Sequence, residues 1–77
     1  MITIQHDQTL SGPDTWAIFR YESGRVQVVT RCKNGHIGSL DDHQVSEDGG
    51  VQPSVVCQKA GCDYHEFIRL EGWKGNL

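Results

Sequence analysis

Three cysteines and two histidines fall into two short clusters, and these are residue types that bind zinc. Cys32 and His36 are separated by three residues, Cys62 and His65 by two, and Cys57 precedes Cys62 by five positions. A structural zinc ion takes four such ligands in a tetrahedron, and two turns that each deliver a close pair can supply them. The spacing therefore predicts one structural zinc ion bound by Cys32, His36, Cys62 and His65.

A fifth candidate, Cys57, leaves the ligand set open. It lies at the end of a predicted strand, shortly before the second cluster, and could replace His36 to give a Cys3His site. A free cysteine at the end of a strand is otherwise a small buried apolar side chain. We therefore predict a Cys2His2 site and keep Cys57 as an alternative ligand.

The small size of the chain favours a bound metal ion that cross-links and stabilises the fold. With 77 residues, of which 36% are hydrophobic and six are aromatic, the chain is expected to form one domain. A core of that size supplies roughly 3–5 kcal/mol by itself. Disulfides fit less well than a metal, because three cysteines leave one unpaired and the nearby histidines unexplained.

The same residues do not indicate catalysis. Glu66 follows His65 directly, but zinc-protease chemistry needs a second histidine four residues along a helix. The segment around Glu66 instead has the character of a strand, and a zinc ion with several thiolate ligands is a poor Lewis acid. We expect a non-enzymatic protein with no catalytic residues.

Apolar residues recur with a period of two, which is typical of strands. The pattern predicts strands over residues 2–4, 16–21, 25–31, 43–47, 51–57 and 66–70. Turn residues at 23–24 and 48–50 join two pairs of them as hairpins. We predict an all-β, zinc-ribbon-like domain of β-hairpins over residues 1–77. Its N-terminal strands and hairpin occupy residues 1–31, and its zinc-binding ribbon occupies residues 32–73.

The stretch from Cys32 to Trp73, about half of the chain, resembles the small zinc-ribbon-like proteins of unknown function that are common in tailed bacteriophages and prophages. It shares with them the Cys32-x-x-Gly35-His36 knuckle, the Pro53-Ser54-Val55-Val56 strand, the Cys62-x-x-His65 knuckle and the closing Leu70-Glu71-Gly72-Trp73. In that family a cysteine often stands at the position of His36, and the position of Cys57 commonly lacks one, which favours the Cys2His2 set. The resemblance implies a phage origin and a zinc site, and it brings no established activity.

Charge weighs against nucleic acid as the main partner. The chain carries a net charge of −3, with +3 over residues 25–40 and −4 over residues 41–56. Phosphate binding draws its affinity from many lysine and arginine contacts. An interaction patch of Arg25, Arg31 and Lys33 could still dock one or two phosphates. We predict a zinc-binding accessory protein that binds a host or phage protein, with a nucleic-acid-binding zinc ribbon or a minor virion or assembly component as alternatives.

The sequence also gives an expectation for location. No stretch is typical of a leader peptide or of a membrane span, and thiolate ligands for zinc favour a reducing compartment. We therefore expect a protein of the host cytoplasm with no membrane partner, or else one carried in the virion.

Overall fold

The computed structural model describes residues 1–74, and it is built from nine short β-strands. These are β1 (Ile2–His6), β2 (Thr15–Arg20), β3 (Val26–Arg31), β4 (Ile37–Ser39), β5 (Gln44–Val45), β6 (Val51–Gln52), β7 (Val55–Val56), β8 (His65–Glu66) and β9 (Ile68–Leu70). The described residues contain no α-helix, and so no helix that could cross a membrane. The predicted all-β fold class is confirmed.

Five of the strands form one sheet in the order β4-β3-β2-β1-β9. Its centre is the predicted hairpin of β2 and β3, whose antiparallel pairing runs from Thr15 opposite Arg31 to Arg20 opposite Val26. Gly24 closes the hairpin turn with a φ of +90°, a conformation that glycine adopts without a steric penalty. The hairpin prediction is therefore confirmed.

Both pairings of β1 are parallel, which the sequence pattern does not predict. β1 lies between β2 and β9, and its pairing with β9 places Ile2 opposite Ile68. The short loop from β1 to β2 is ordered by Asp7, whose carboxylate accepts hydrogen bonds from the hydroxyls and backbone N–H groups of Thr9 and Ser11. These bonds, led by that from the Thr9 side chain, hold the pKa of Asp7 well below its usual range. The sheet thus joins the start and the end of the described chain.

Alternating side chains of the sheet pack on its two faces. Ala17 and Val29 lie on one face with Leu10 and with the half-buried Phe19. The main core lies on the other face and contains Ile4, Trp16, Val28, Cys32, Leu40, Val51, Val55, Tyr64, Ile68 and Leu70. Burying an isoleucine or leucine side chain fully contributes about 1.5–3 kcal/mol. Residues 1–31 and 32–73 therefore share both a sheet and a core.

Two tryptophans join the C-terminal end to this core. The indole of Trp16 is buried and donates a hydrogen bond from Nε1 to the carbonyl oxygen of Glu71 at 3.0 Å. Trp73 packs edge-on against it, with ring centroids 5.7 Å apart. Their packing covers the region where β9 leaves the sheet.

The second half of the chain differs from its predicted strands. The predicted strand over residues 51–57 is two strands, β6 and β7, because Pro53 between them cannot donate a ladder hydrogen bond. β5 and β6 form the predicted second hairpin, although β5 is shorter than residues 43–47. This hairpin covers the free edge of β9, where Leu70 N donates to Gly49 O at 2.9 Å. A side chain at Gly49 would place its Cβ 2.5 Å from Leu70 O, so only glycine permits this approach.

Candidate metal centre

Four side chains from two loops converge beside the main core. The ligand atoms of Cys32, His36, Cys57 and Cys62 all lie within 4.8 Å of one another. Cys32 and His36 stand at the two ends of the turn between β3 and β4, and Cys57 and Cys62 lie in the loop between β7 and β8. Three of the four predicted ligands, Cys32, His36 and Cys62, are in this cluster with Cys57 as the fourth member, and the cluster could hold one metal ion.

The first pair is positioned by a tight turn that the sequence encodes. Cys32 N donates to His36 O and Gly35 N donates to Cys32 O, both at 2.9 Å. Gly35 has a φ of +86°, which brings the chain back quickly enough for both side chains to face one point. The guanidinium of Arg31 fixes the turn further, since Nε donates to Gly35 O at 3.0 Å.

The second pair is positioned by the β7–β8 ladder and its loop. Cys57 N donates to Tyr64 O at 3.0 Å and so continues the ladder beyond β7. Cys62 N donates to Lys59 O at 3.0 Å, and Gly61 takes a φ of +83°. The loop between them folds back until Cys62 meets the first pair.

Three separations within the cluster are short enough for the atoms to contact one ion. Cys32 Sγ lies 3.9 Å from Cys62 Sγ and 3.6 Å from His36 Nδ1, and Cys57 Sγ lies 3.5 Å from the same nitrogen. A disulfide requires a sulfur–sulfur distance of about 2.05 Å. All three cysteines are free.

Asn34 supports the cluster, and sequence analysis did not identify it. Its backbone N–H donates to Cys32 Sγ and its side-chain Nδ2 donates to Cys62 Sγ, each at 3.4 Å. The bond from the Asn34 side chain, followed by one from the backbone of Tyr64, lowers the pKa of the Cys62 thiol to about 6. Hydrogen bonds of this kind orient metal ligands and stabilise their charge. The only sequence signal is its place inside the first turn, where a short amide can reach both sulfurs.

The pKa of Cys57 is shifted in the opposite direction. A backbone hydrogen bond from Lys59 lowers it, but burial and the neighbouring thiols of Cys62 and Cys32 outweigh that bond and raise the pKa. Three thiols this close repel one another once they ionise. A bound cation would remove the repulsion, which is the electrostatic condition of a metal site.

The structure does not bring His65 to the cluster, although the sequence predicts it as a ligand and Cys57 only as an alternative. The pairing of β7 with β8 places His65 opposite Val56, and both are exposed. Side chains alternate between the faces of a strand, so Cys57 and the buried Tyr64 share the core face while His65 lies on the other. His65 Nε2 instead hydrogen-bonds Ser54 Oγ at 2.7 Å. Cys57 therefore takes the place predicted for His65, and His36 stays in the cluster.

The predicted basic patch is divided among internal contacts. Arg25 pairs with Asp41 at 2.7 Å, and Lys33 lies 3.5 Å from a carboxylate oxygen of Asp63. Arg31 donates to the backbone carbonyl oxygens of Gly35 and Leu10. Each of the three cations is thus engaged within the protein.

The fold and the site define a small all-β domain with a three-cysteine, one-histidine cluster that could hold one metal ion. No family model, no curated protein and no solved structure matches the chain. The resemblance to phage zinc-ribbon-like proteins therefore rests on the sequence motifs alone.

Proposed function

We propose that Cys32, His36, Cys57 and Cys62 bind one structural zinc ion. Zinc–sulfur bonds of about 2.3 Å and zinc–nitrogen bonds of about 2.0–2.1 Å, set at tetrahedral angles, imply edges of about 3.8 Å between sulfurs and about 3.5 Å between sulfur and nitrogen. The distances of 3.9, 3.6 and 3.5 Å agree with those edges, and this agreement is the observation that carries the proposal. Soft thiolate donors also favour zinc over magnesium or calcium.

The proposed ion is structural because the four side chains would fill its tetrahedral coordination shell. It would fasten the turn between β3 and β4, in the five-stranded sheet, to the loop of the separate β7–β8 sheet. The binding free energy of such sites reaches roughly 10–16 kcal/mol in zinc-finger peptides and is coupled to folding. That amount exceeds what a core of this size supplies.

Beyond the metal, we propose that the protein is a non-enzymatic accessory protein that binds another protein. The supporting observation is a cleft of about 610 Å³ beside the cluster. Its lining includes Ile37 and Val56, which are 62% and 46% exposed, respectively. Contiguous exposed apolar surface marks protein-interaction sites, and the presence of both side chains in one recess supports such a site here. A host or phage protein as the partner follows from the sequence resemblance. The ion pairs of Arg25 and Lys33 make nucleic acid the weaker proposal.

Two measurements test this function. Elemental analysis of the purified protein should find one zinc ion per chain, and chelation should abolish the cooperative thermal transition. A chelated protein that keeps its transition would exclude the structural role. Affinity capture from host lysate should recover a protein with the wild type and not with the matched double variant Ile37→Ser, Val56→Ser. Equal recovery by both baits would rule out this surface.

A further inference from the structure

We propose that the cleft between β4 and β7 binds an extended peptide segment of the partner, which adds as a strand to both of them. The inference rests on the proposed protein-binding function and specifies the chemistry of the partner. The cleft is lined by Ile37, Gly38 and Ser39 of β4 and by Val55 and Val56 of β7.

The edge of β4 offers free backbone groups. In its antiparallel pairing with β3, Leu40 N donates to Val28 O and Cys32 N donates to His36 O. These are hydrogen-bonded pairs, so Gly38 is bonded to Thr30 while the intervening Ile37 and Ser39 form non-hydrogen-bonded pairs with β3. The N–H and C=O groups of Ile37 and Ser39 therefore point away from the sheet.

The edge of β7 that faces away from β8 offers a second position with which no strand pairs within residues 1–74. Cys57 N donates to Tyr64 O, which makes this a hydrogen-bonded pair of the β7–β8 ladder. Val56, one residue earlier, belongs to a non-hydrogen-bonded pair with His65. Its backbone N–H and C=O groups therefore point away from β8, and the C=O accepts a hydrogen bond from Gln58 Nε2 at 3.4 Å that an added strand would replace.

The other edge of the five-stranded sheet is covered. Gly50 bridges Arg69 of β9, and Gly49 O accepts a hydrogen bond from Leu70 N. Within residues 1–74, β4 is thus the edge of this sheet that no other strand pairs with. An open strand edge is a template for the addition of an extended segment.

Two open strand edges in one cleft restrict the kind of molecule that can bind there. A segment that bonds to β4 on one side and β7 on the other must have both of its own edges free, as an extended peptide does. β4 of a second copy could not fill this role, because β3 already occupies one of its edges. The lining contains one charge of each sign, Asp42 and Lys59, beside the exposed Ile37 and Val56. An apolar segment of low net charge suits this lining.

The metal cluster sets the distance between the two edges. Cys32 and His36 precede β4, Cys57 follows β7, and all three line the cleft. A metal ion held by them would fix β4 relative to β7, so peptide binding should require the metal.

Selection from a displayed library of random twelve-residue peptides on the zinc-loaded protein supplies the probe. With a selected peptide bound, the amide hydrogens of Ile37, Ser39 and Val56 should exchange at least about tenfold more slowly. The amide of Gly38, already bonded to β3, is the internal control and should change little. A library that yields no binder, or binders that leave the three amides unprotected, would overturn the proposal.

Variants provide an independent test. Ser39→Pro removes an outward N–H without touching the bonds to β3, and proline is tolerated at such edge positions. Ser39→Pro should weaken binding of the selected peptide at least tenfold. Ser39→Ala, which keeps the N–H, should bind the peptide within about twofold of the wild-type affinity. Equal binding by both variants would contradict strand addition. If zinc content shows that Ser39→Pro misfolds, the exchange result on the wild type decides.

The outcomes of these tests distinguish other occupants of the cleft from an extended peptide, and failure of strand addition from failure of the protein-binding function. A dimer in analytical ultracentrifugation that the selected peptide does not dissociate, or nucleic acid that competes for the cleft, would count against a peptide occupant. Lysate capture that depends on Ile37 and Val56 without protection of the β4 and β7 amides would refute strand addition while leaving the protein-binding function standing. Equal capture by the wild type and by the Ile37→Ser, Val56→Ser variant would rule out this surface and, with it, strand addition to β4 and β7.

Discussion

Exchanging the fourth ligand is the sharpest test of the metal centre. Cys57→Ser removes a donor whose sulfur lies 3.5 Å from His36 Nδ1, whereas His65→Ala removes a side chain whose hydrogen bond is to Ser54 Oγ. If about 10–16 kcal/mol of binding free energy is shared by four ligands, each contributes roughly 2.5–4 kcal/mol. Cys57→Ser should therefore weaken zinc binding by about 60-fold or more.

His65→Ala should behave differently because its hydrogen bond lies outside the cluster. Loss of one ordinary hydrogen bond costs about 0.5–1.5 kcal/mol of folding stability and leaves zinc affinity unchanged. His36→Ala is the matched control, since it removes a histidine that belongs to the cluster. It should lose zinc as Cys57→Ser does.

Competition with a chromophoric chelator measures these affinities, and cobalt substitution counts the thiolates. With three thiolate ligands in the wild type, sulfur-to-cobalt charge-transfer absorption should fall by about a third in Cys57→Ser and stay constant in His65→Ala. Zinc retained by Cys57→Ser but lost by His65→Ala would refute the geometry and restore the Cys2His2 set that the sequence predicts.

Further predictions concern the β1–β2 loop and the basic residues. Because hydrogen bonds from Thr9 and Ser11 depress the pKa of Asp7, its ionised form adds stability above its ordinary pKa of 3.8 and loses that contribution as pH falls toward the depressed value. Asp7→Asn should therefore lower the denaturant midpoint at pH 7, and the difference from the wild type should narrow at pH 2–3; a constant difference would contradict this. Arg31→Gln should destabilise the protein by about 1–3 kcal/mol, because two carbonyl oxygens lose a charged donor, while Arg25→Gln, which removes an exposed ion pair, should cost under about 1 kcal/mol in the same denaturant titration. Random duplex DNA should bind with a Kd of about 10⁻⁴ M or weaker at physiological salt, and micromolar binding that Arg25→Gln weakens would favour the nucleic-acid alternative.

Local patterns predict the parts of this fold that local interactions form. Alternating apolar residues and a turn glycine at position 24 are enough to specify the β2–β3 hairpin. The parallel pairing of β1 with β9 joins residues more than sixty positions apart and leaves no short-range signal. β4 is also missed, because Ile37, Gly38 and Ser39 are all exposed and show no alternation of burial. Tertiary pairing, rather than propensity, makes these three residues a strand.

The residues of the candidate metal site likewise include some that local spacing predicts and one that it does not. Cys32, His36 and Cys62 are predicted as ligands from spacing, and the structure brings all three together. The fourth position depends on strand parity, because Cys57 shares a face with the buried Val55 and His65 shares one with the exposed Val56. The spacing of the Cys62-x-x-His65 motif predicts that residues 62–65 form one turn. In the structure β8 begins at residue 65, and this carries the histidine to the opposite face.

The cluster and the apolar core are in direct contact. Cys32 is itself a buried member of the main core, and Cys57 and Cys62 pack against it. Without a cation, several thiols and an imidazole would face one another next to the buried Val55 and Tyr64, where unpaired polar groups are costly. A metal ion would both join the two loops and neutralise that part of the core. Metal binding at this cluster would therefore not contribute to the stability of the protein independently of core packing, since each would supply the condition under which the other is favourable.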